Sequence, residues 1–424
     1  MDFTISDRCS QWQAAIRDFV NTAVIPREQE TFAAGVDDVI RGELQQAARR
    51  AGVWAPQAPA GLGGGGFSFD EAAVLLEEAG RSLLGPLALN CAAPDEGNIH
   101  LLAVIGTAPQ QERYLRPLVA GQVRSCFAMS EPMPGAGSDP AALQTTARRG
   151  DGGWTITGRK HLITGADGAG FAIVMAAGPG PGGATMFLID TSAEGFEVTG
   201  HHPTIDATTV GGHCQVSLND VHVSDDAVLG QPGQGFRYAQ VRLAPARLTH
   251  CMRWLGAARR AHEIACERSV RRELFGAPLA DHGLAQQLIA DSEIDLAAAR
   301  ALLWQASWEV ARSAPGGRGA SGGHGASGGP GASGGHGASG GHGAPGTEAS
   351  SRAKVFISEA TARVVDRSVQ LCGGLGTSEE LVVGRIYADI RAFRIYDGAS
   401  EVHRMSIARR AARRARAALA GASS

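Results

Sequence analysis

At 424 residues with 44% apolar content, the chain has material for two to four domains and a sizeable buried core. A formal net charge of −3 provides no case for a nucleic-acid partner, which needs a concentrated basic face. No stretch approaches the ~20 apolar residues that span a bilayer, and the start Met1-Asp2-Phe3-Thr4 has no basic region leading into an apolar one, so a soluble, cytoplasmic protein without a membrane span is expected.

In chain order, residues 1–122 read as an N-terminal helical domain. Trp12, Ile16 and Phe19 recur on one helical face, and Ser68 and Glu71 are spaced as a capping box ahead of Ala72 to Leu76. Residues 123–228 shift to a period of two. Runs such as 154–157, 171–175 and 186–189 read as strands, and the turns 151–153 and 179–183 separate them as hairpins, giving a central β-barrel-like domain. In residues 229–424 helical patterning returns from Gly235 onward, seen over 251–268, 284–308 and 353–369.

This last domain is interrupted at 314–347 by a Gly-rich insertion. Glycine falls at every third position of its core, 316–346, but only Pro330 and Pro345 fill the third triplet position, too few for a collagen helix, so a disordered surface loop is expected. His324, His336 and His342 there have no fixed geometry for a metal, and no metal site is expected. Arg409, Arg410, Arg413, Arg414 and Arg416 read as cations in the last turns of a helix. The seven cysteines are scattered without a Cys-x-x-Cys pair and read as reduced core thiols.

Five segments carry chemistry. Cys126 to Pro140 runs from a strand into a loop of small residues, where backbone N–H groups can approach an anion. Gly158 to Gly165, Arg272 to Gly276 and Gln370 to Gly374 follow. The fifth is Tyr396-Asp397-Gly398, a carboxylate at a tight break whose burial would tune its proton affinity. Singly, each is an ordinary turn, core strand or surface arginine. Their order together resembles the flavin-dependent acyl-CoA dehydrogenase family over nearly the whole chain, in the branch carrying Asp in place of the usual catalytic Glu.

The resemblance implies an α+β fold ending in a C-terminal four-helix bundle, FAD as cofactor, and α,β-dehydrogenation of an acyl-CoA thioester to a 2,3-enoyl thioester. Asp397 would be the catalytic base. Phe127, Met129, Ser130, Gly137, Leu162 and Thr164 would meet the flavin ring and its linker. Arg272, Phe275, Gln370, Gly373 and Gly374 would reach the flavin pyrophosphate and adenosine of a neighbouring subunit, which implies a homodimer or homotetramer. Ala399 and Glu401 would close over the flavin, while Ser138, Arg247 and Gly398 would face the acyl-CoA. Lys160 reads as a brace, and His161 and His250 are not assigned chemical roles. An electron-transfer flavoprotein is the implied oxidant.

Three departures stand out: the loop is lengthened by Met133-Pro134, Gly283 replaces a flavin-contacting Gln, and Asp397 is a methylene shorter than Glu. Two alternatives stay open, a flavin oxidase of the same fold acting on a nitroalkane or acyl-CoA, and a non-catalytic interaction protein with a degenerate flavin site. Deleting residues 316–346 is expected to leave bound flavin and its reduction by substrate unchanged. Loss of either would make the repeat a functional element.

Overall fold

The structure is a computed structural model and describes residues 4–178, 183–206, 208–313 and 346–422. The Gly-rich insertion, with its three histidines, lies outside the described residues but for Gly346 and Thr347. Thr347 already opens a helix, so the insertion ends earlier than expected. No helix among the described residues is long and apolar enough to cross a membrane.

The N-terminal part contains α1 (Asp7–Phe19), α2 (Glu28–Ala34), α3 (Asp38–Arg50), α4 (Phe69–Ala79), α5 (Gly85–Ala88), α6 (Asp95–Ile105), α7 (Ala108–Gln110) and α8 (Arg116–Val119). The capping box at α4 is present, with Glu71 Oε2 accepting the Ser68 backbone N–H at 3.2 Å. Its two reciprocal bonds satisfy donors that a helix start otherwise leaves open.

The central part is one sheet of β1 (Ser125–Ala128), β2 (Thr146–Gly150), β3 (Gly153–Thr164), β4 (Phe171–Ala177), β5 (Ala184–Asp190), β6 (Phe196–His201), β7 (His213–Val223) and β8 (Val228–Leu229). The spatial order is β6-β7-β3-β2-β4-β5-β8, and β1 runs parallel to β4. Both faces of β4 are covered: Phe171, Ile173 and Met175 join the core shared with the helices, whereas Ala172, Val174 and Ala176 join a second core inside the sheet domain. This explains why β4 and β5 read as unbroken apolar runs rather than alternating ones.

The C-terminal part comprises α9 (Gly235–Arg271), the hairpin β9 (Glu273–Leu274) and β10 (Ala277–Pro278), α10 (Gly283–Ser313), α11 (Thr347–Cys372), α12 (Val382–Arg391) and α13 (Ser400–Ala422). Helix α9 begins at Gly235, where helical patterning was expected to return, and it continues through Pro245, a residue that ordinarily ends a helical reading. The five C-terminal arginines are not in a last turn: α13 runs on to Ala422 and its last turn carries no cation. Arg414 instead pairs with Glu348 of α11 at 3.0 Å.

Helices α4 and α9 cross closely. A Cβ added at Gly80 would sit 2.0 Å from the Arg253 carbonyl oxygen, and one at Gly256 would sit 2.0 Å from that of Glu77. Beside the crossing, Glu77 and Glu78 accept from Arg17, Arg259 and Arg300, joining α1, α4, α9 and α10.

The loop after β1 is held from within. Glu131 accepts the backbone N–H groups of Ala136, Gln144 and Thr145, and the fully buried Lys160 Nζ at 2.8 Å. Lys160 also donates to the carbonyls of Met129 and Met175, so it braces β1, β3 and β4 as expected. Burial alone would raise the Glu131 carboxyl, but Lys160 and the amides outweigh it and hold it down to about 2. Its stabilisation is complete above the ordinary carboxylate range and is lost as pH falls toward about 2. Lys160→Met leaves this carboxylate buried and short of its cation, so a loss of about 3–5 kcal/mol is expected in denaturant unfolding.

Candidate active site

Asp397 stands in the turn between α12 and α13, immediately ahead of the first turn of α13, with φ +52°. A non-glycine residue in this region is held there by its surroundings. Three side chains from three helices do so. Arg247 Nε of α9 donates to the Asp397 carbonyl at 2.9 Å, and His403 Nε2 of α13 reaches the same oxygen at 3.2 Å. Lys354 Nζ of α11, itself fully buried, donates to the Gly398 carbonyl at 2.7 Å. Burial brings His403 down to about 4, reinforced by Arg247, so it is neutral at pH 7 and donates through Nε2–H. Burial also lowers Lys354, to about 8.

With its backbone pinned, the Asp397 carboxylate is half-covered, its side chain 18% exposed. His250 Nδ1 lies 3.1 Å from Oδ2, but the Nδ1 proton is aimed at the Ala246 carbonyl at 2.8 Å. Oδ2 therefore has a close imidazole and no directed donor among the described residues. His250 is packed against Phe393 and Tyr396, with centroids at 6.0 and 4.8 Å. Burial would raise the Asp397 carboxyl, yet His250, Arg242 and Arg247 outweigh it and hold it below the ordinary carboxylate range. The result is a carboxylate that is ionised at neutral pH, with Oδ2 3.1 Å from the His250 ring nitrogen.

A second group comes from the sheet. Phe127, Met129 and Ser130 are half-buried along β1 and its exit, and the buried Arg242 lies over the Phe127 ring at 4.2 Å. Gly137 is exposed, with nothing within 4 Å of an added Cβ, and Ser138 beside it is exposed too. A bulge between Lys160 and Ile163 places Leu162 at φ +56° and turns its side chain outward, 45% exposed. Thr164 is half-buried two residues on.

A third group lies at the far ends of α9 and α11. Arg272 and Gln370 are exposed, Gly374 is open, and an Arg272 guanidinium nitrogen lies 3.6 Å from an added Cβ on Gly373. Phe275 tops the β9–β10 hairpin at φ +50° and is 99% exposed. An aromatic ring and a guanidinium presented wholly to the outside suit contact with another molecule rather than with their own core.

Three family descriptions match in sequence: the acyl-CoA dehydrogenase N-terminal domain over residues 6–122, the middle domain over 126–221, and the C-terminal domain over 233–322 and 336–412. The chain belongs to the acyl-CoA dehydrogenase family. It is 33% identical over 96% of its length to the "Probable acyl-CoA dehydrogenase FadE2" of Mycobacterium tuberculosis, covering 96% of that protein. It is 31% identical over 86% of its length to acyl-CoA dehydrogenase family member 11 of Gallus gallus, of which it spans only 44%. A solved structure assigned to an acyl-CoA dehydrogenase of Mycobacterium abscessus superposes with a TM-score of 0.84 at 32% identity, covering 97% of this chain and 99% of that one.

FAD is the cofactor of this family, and the residues present fit it. Neutral hydroxyls at Ser130 and Thr164, apolar surfaces at Met129 and Leu162, an uncrowded backbone at Gly137 and an exposed Arg272 make a donor set for a polar-edged ring carrying a pyrophosphate. Ala399 is half-buried at the base of α13, and Glu401 is 76% exposed within 3.8 Å of Arg404. Gly398 packs toward His403, and Arg247 gives its Nε–H to the Asp397 carbonyl. Sequence reasoning passed over His250, Lys354 and His403. His250 follows Arg247 within one helical turn, and His403 lies within the motif run, which were the available signals.

Gly398 has φ +100°, and a Cβ there would meet His403 Nε2 at 2.6 Å. Gly398→Ala is expected to cost on the order of 1–3 kcal/mol and to swing the carboxylate off target. Thermal unfolding together with substrate-driven flavin reduction reads both effects.

Proposed function

We propose that this chain is an FAD-dependent acyl-CoA dehydrogenase that converts an acyl-CoA to its 2,3-enoyl thioester, with Asp397 as the base. The observation that supports this reading above the others is the Asp397 carboxylate itself: half-covered, ionised, and with Oδ2 lacking a directed donor among the described residues. Bound FAD supplies the acceptor for the β-hydrogen, which no amino-acid side chain can provide. Asp397 Oδ2 takes the α-proton. In the free protein its depressed proton affinity makes it a weak base. An acyl chain laid against the half-covered side chain would remove the remaining water, and desolvation raises a carboxylate toward the range of an effective base.

The donors on the Asp397 and Gly398 carbonyls keep the backbone from yielding as the proton arrives. Pinning matters because Asp is a methylene shorter than Glu, and a misplacement of about 1 Å costs on the order of a hundredfold in rate. Ser138, on the exposed loop, and Gly398 are the groups of this chain we assign to the acyl-CoA side. Arg247 serves that site through the turn it holds. Arg272, Phe275, Gln370, Gly373 and Gly374 would complete the flavin site of a second copy, which favours a homodimer or homotetramer, and an electron-transfer flavoprotein would reoxidise the cofactor.

Asp397→Asn should keep its flavin and lose roughly 10²–10⁴ in the rate at which acyl-CoA bleaches visible flavin absorbance under anaerobic conditions. Bleaching at the original rate would remove Asp397 from the mechanism. Steady peroxide formation by the unaltered protein in air would redirect the reading to an oxidase.

A further inference from the structure

Thr164, which the family resemblance places against the flavin, is the end of a chain of half-buried polar groups. Its Oγ1 lies 3.0 Å from His213 Nδ1, and His213 Nε2 lies 2.9 Å from Asp206 Oδ2. The chain is built into the sheet: Thr164 and His213 are paired residues of β3 and β7, just past the bulge that turns Leu162 outward. Asp206 comes from the segment between β6 and β7, which is anchored on α12 by the Thr208 hydroxyl donating to Asp389. The His213 and Asp206 side chains are each 16% exposed. An Asp, a His and a hydroxyl in line are the parts with which a protein fixes a tautomer and a proton direction.

We propose that Asp206 and His213 are positioning residues that set the hydrogen-bond direction of the Thr164 hydroxyl toward the flavin, so that the charge of His213 is linked to the redox state of the cofactor. This rests on the reading of Thr164 as a flavin contact.

The direction follows from counting protons. Burial would raise Asp206, but His213 and Thr204 hold it below the ordinary range, so it is an anion that accepts from Nε2–H. With His213 neutral, Nδ1 is an acceptor. The Thr164 proton then points at Nδ1, and its oxygen faces outward as an acceptor, suited to the N–H of a reduced ring. With His213 protonated, Nδ1–H donates to the Thr164 oxygen. The hydroxyl proton then points outward, suited to a ring nitrogen that accepts when oxidised. Reduction of the ring therefore favours release of one proton from His213 to solvent. Other titratable groups near this chain, among the described residues, include Asp389 bonded to Thr208, His202 whose backbone N–H donates to the His213 carbonyl, the His201–Asp167 pair, 3.2 Å apart, Arg124 against Gly211, and Tyr396, which feels the charge of Asp206.

The test is the pH dependence of the FAD midpoint potential between about pH 5 and 8, the interval in which imidazoles change charge. In the unaltered protein the dependence is expected to flatten across part of that interval, because the His213 proton released offsets one taken up by the ring. In His213→Gln and Thr164→Val the flattening should vanish, moving the reduction equilibrium about tenfold per pH unit relative to the unaltered protein there. Thr164→Ser should retain it, which guards against a variant that merely fails to fold. A straight dependence in the unaltered protein, or flattening that survives His213→Gln, overturns the proposal. The potential is measured with a chemical reductant. If acyl-CoA bleaches the flavin but the dependence is straight, only this relay falls. If flattening is present without acyl-CoA bleaching, only the dehydrogenase reading falls. A protein that binds no FAD defeats both.

Discussion

The architecture turns on a single unfavourable stretch of backbone. Asp397 and Gly398 both have positive φ, and their carbonyls point into the protein rather than to water. Buried carbonyls without partners cost free energy, and strained turns persist only where the surroundings over-determine them. Here Arg247, Lys354 and His403 converge from α9, α11 and α13. The helices must hold their mutual positions for the carboxylate to hold its own. The ion network around Glu77 and Glu78, and the buried Glu28–Arg260 pair at 2.7 Å, secure α9 against the N-terminal helices. Rigidity at the turn is therefore a property of the whole helical assembly.

The sheet complements this with a different economy of charge. Around Asp397 the guanidinium groups of Arg242 and Arg247 help keep the carboxylate ionised. Along β1 and β3 the residues assigned to the flavin, Phe127, Met129, Ser130, Leu162 and Thr164, carry no charge, and the ammonium of Lys160 is turned inward and consumed by Glu131 and two carbonyls. A neutral, partly apolar face beside an anion suits a ring that must accept electrons while a proton leaves in the opposite direction.

Local features were legible from sequence, and long-range ones were not. The Ser68–Glu71 capping box and the Asp151-Gly152 hairpin are spelled out within a few residues, and both are present. The ordered motifs led to the family because they sample every part of the chain. The unbroken run of α9 through Pro245 was less legible, because that residue's helix-ending tendency is overridden when the surrounding helix is packed on several sides. Lys354 lies 44 residues from Gly398 in sequence, and its partner is a backbone oxygen that leaves no trace in residue type. Asp206, His213 and Thr164 form a unit only once β3 and β7 are paired and the intervening segment is docked on α12.

The crossing of α4 and α9 has a bearing on where the molecule can change shape. With Gly80 and Gly256 letting backbone rest against backbone, the N- and C-terminal helical parts have no side-chain layer along which to slide. Shear motions of packed helices rely on such a layer to repack. Any adjustment of shape is then left to segments outside that contact, such as the tip of the loop 131–145, where Met133 stands 95% exposed beyond the part that Glu131 ties down.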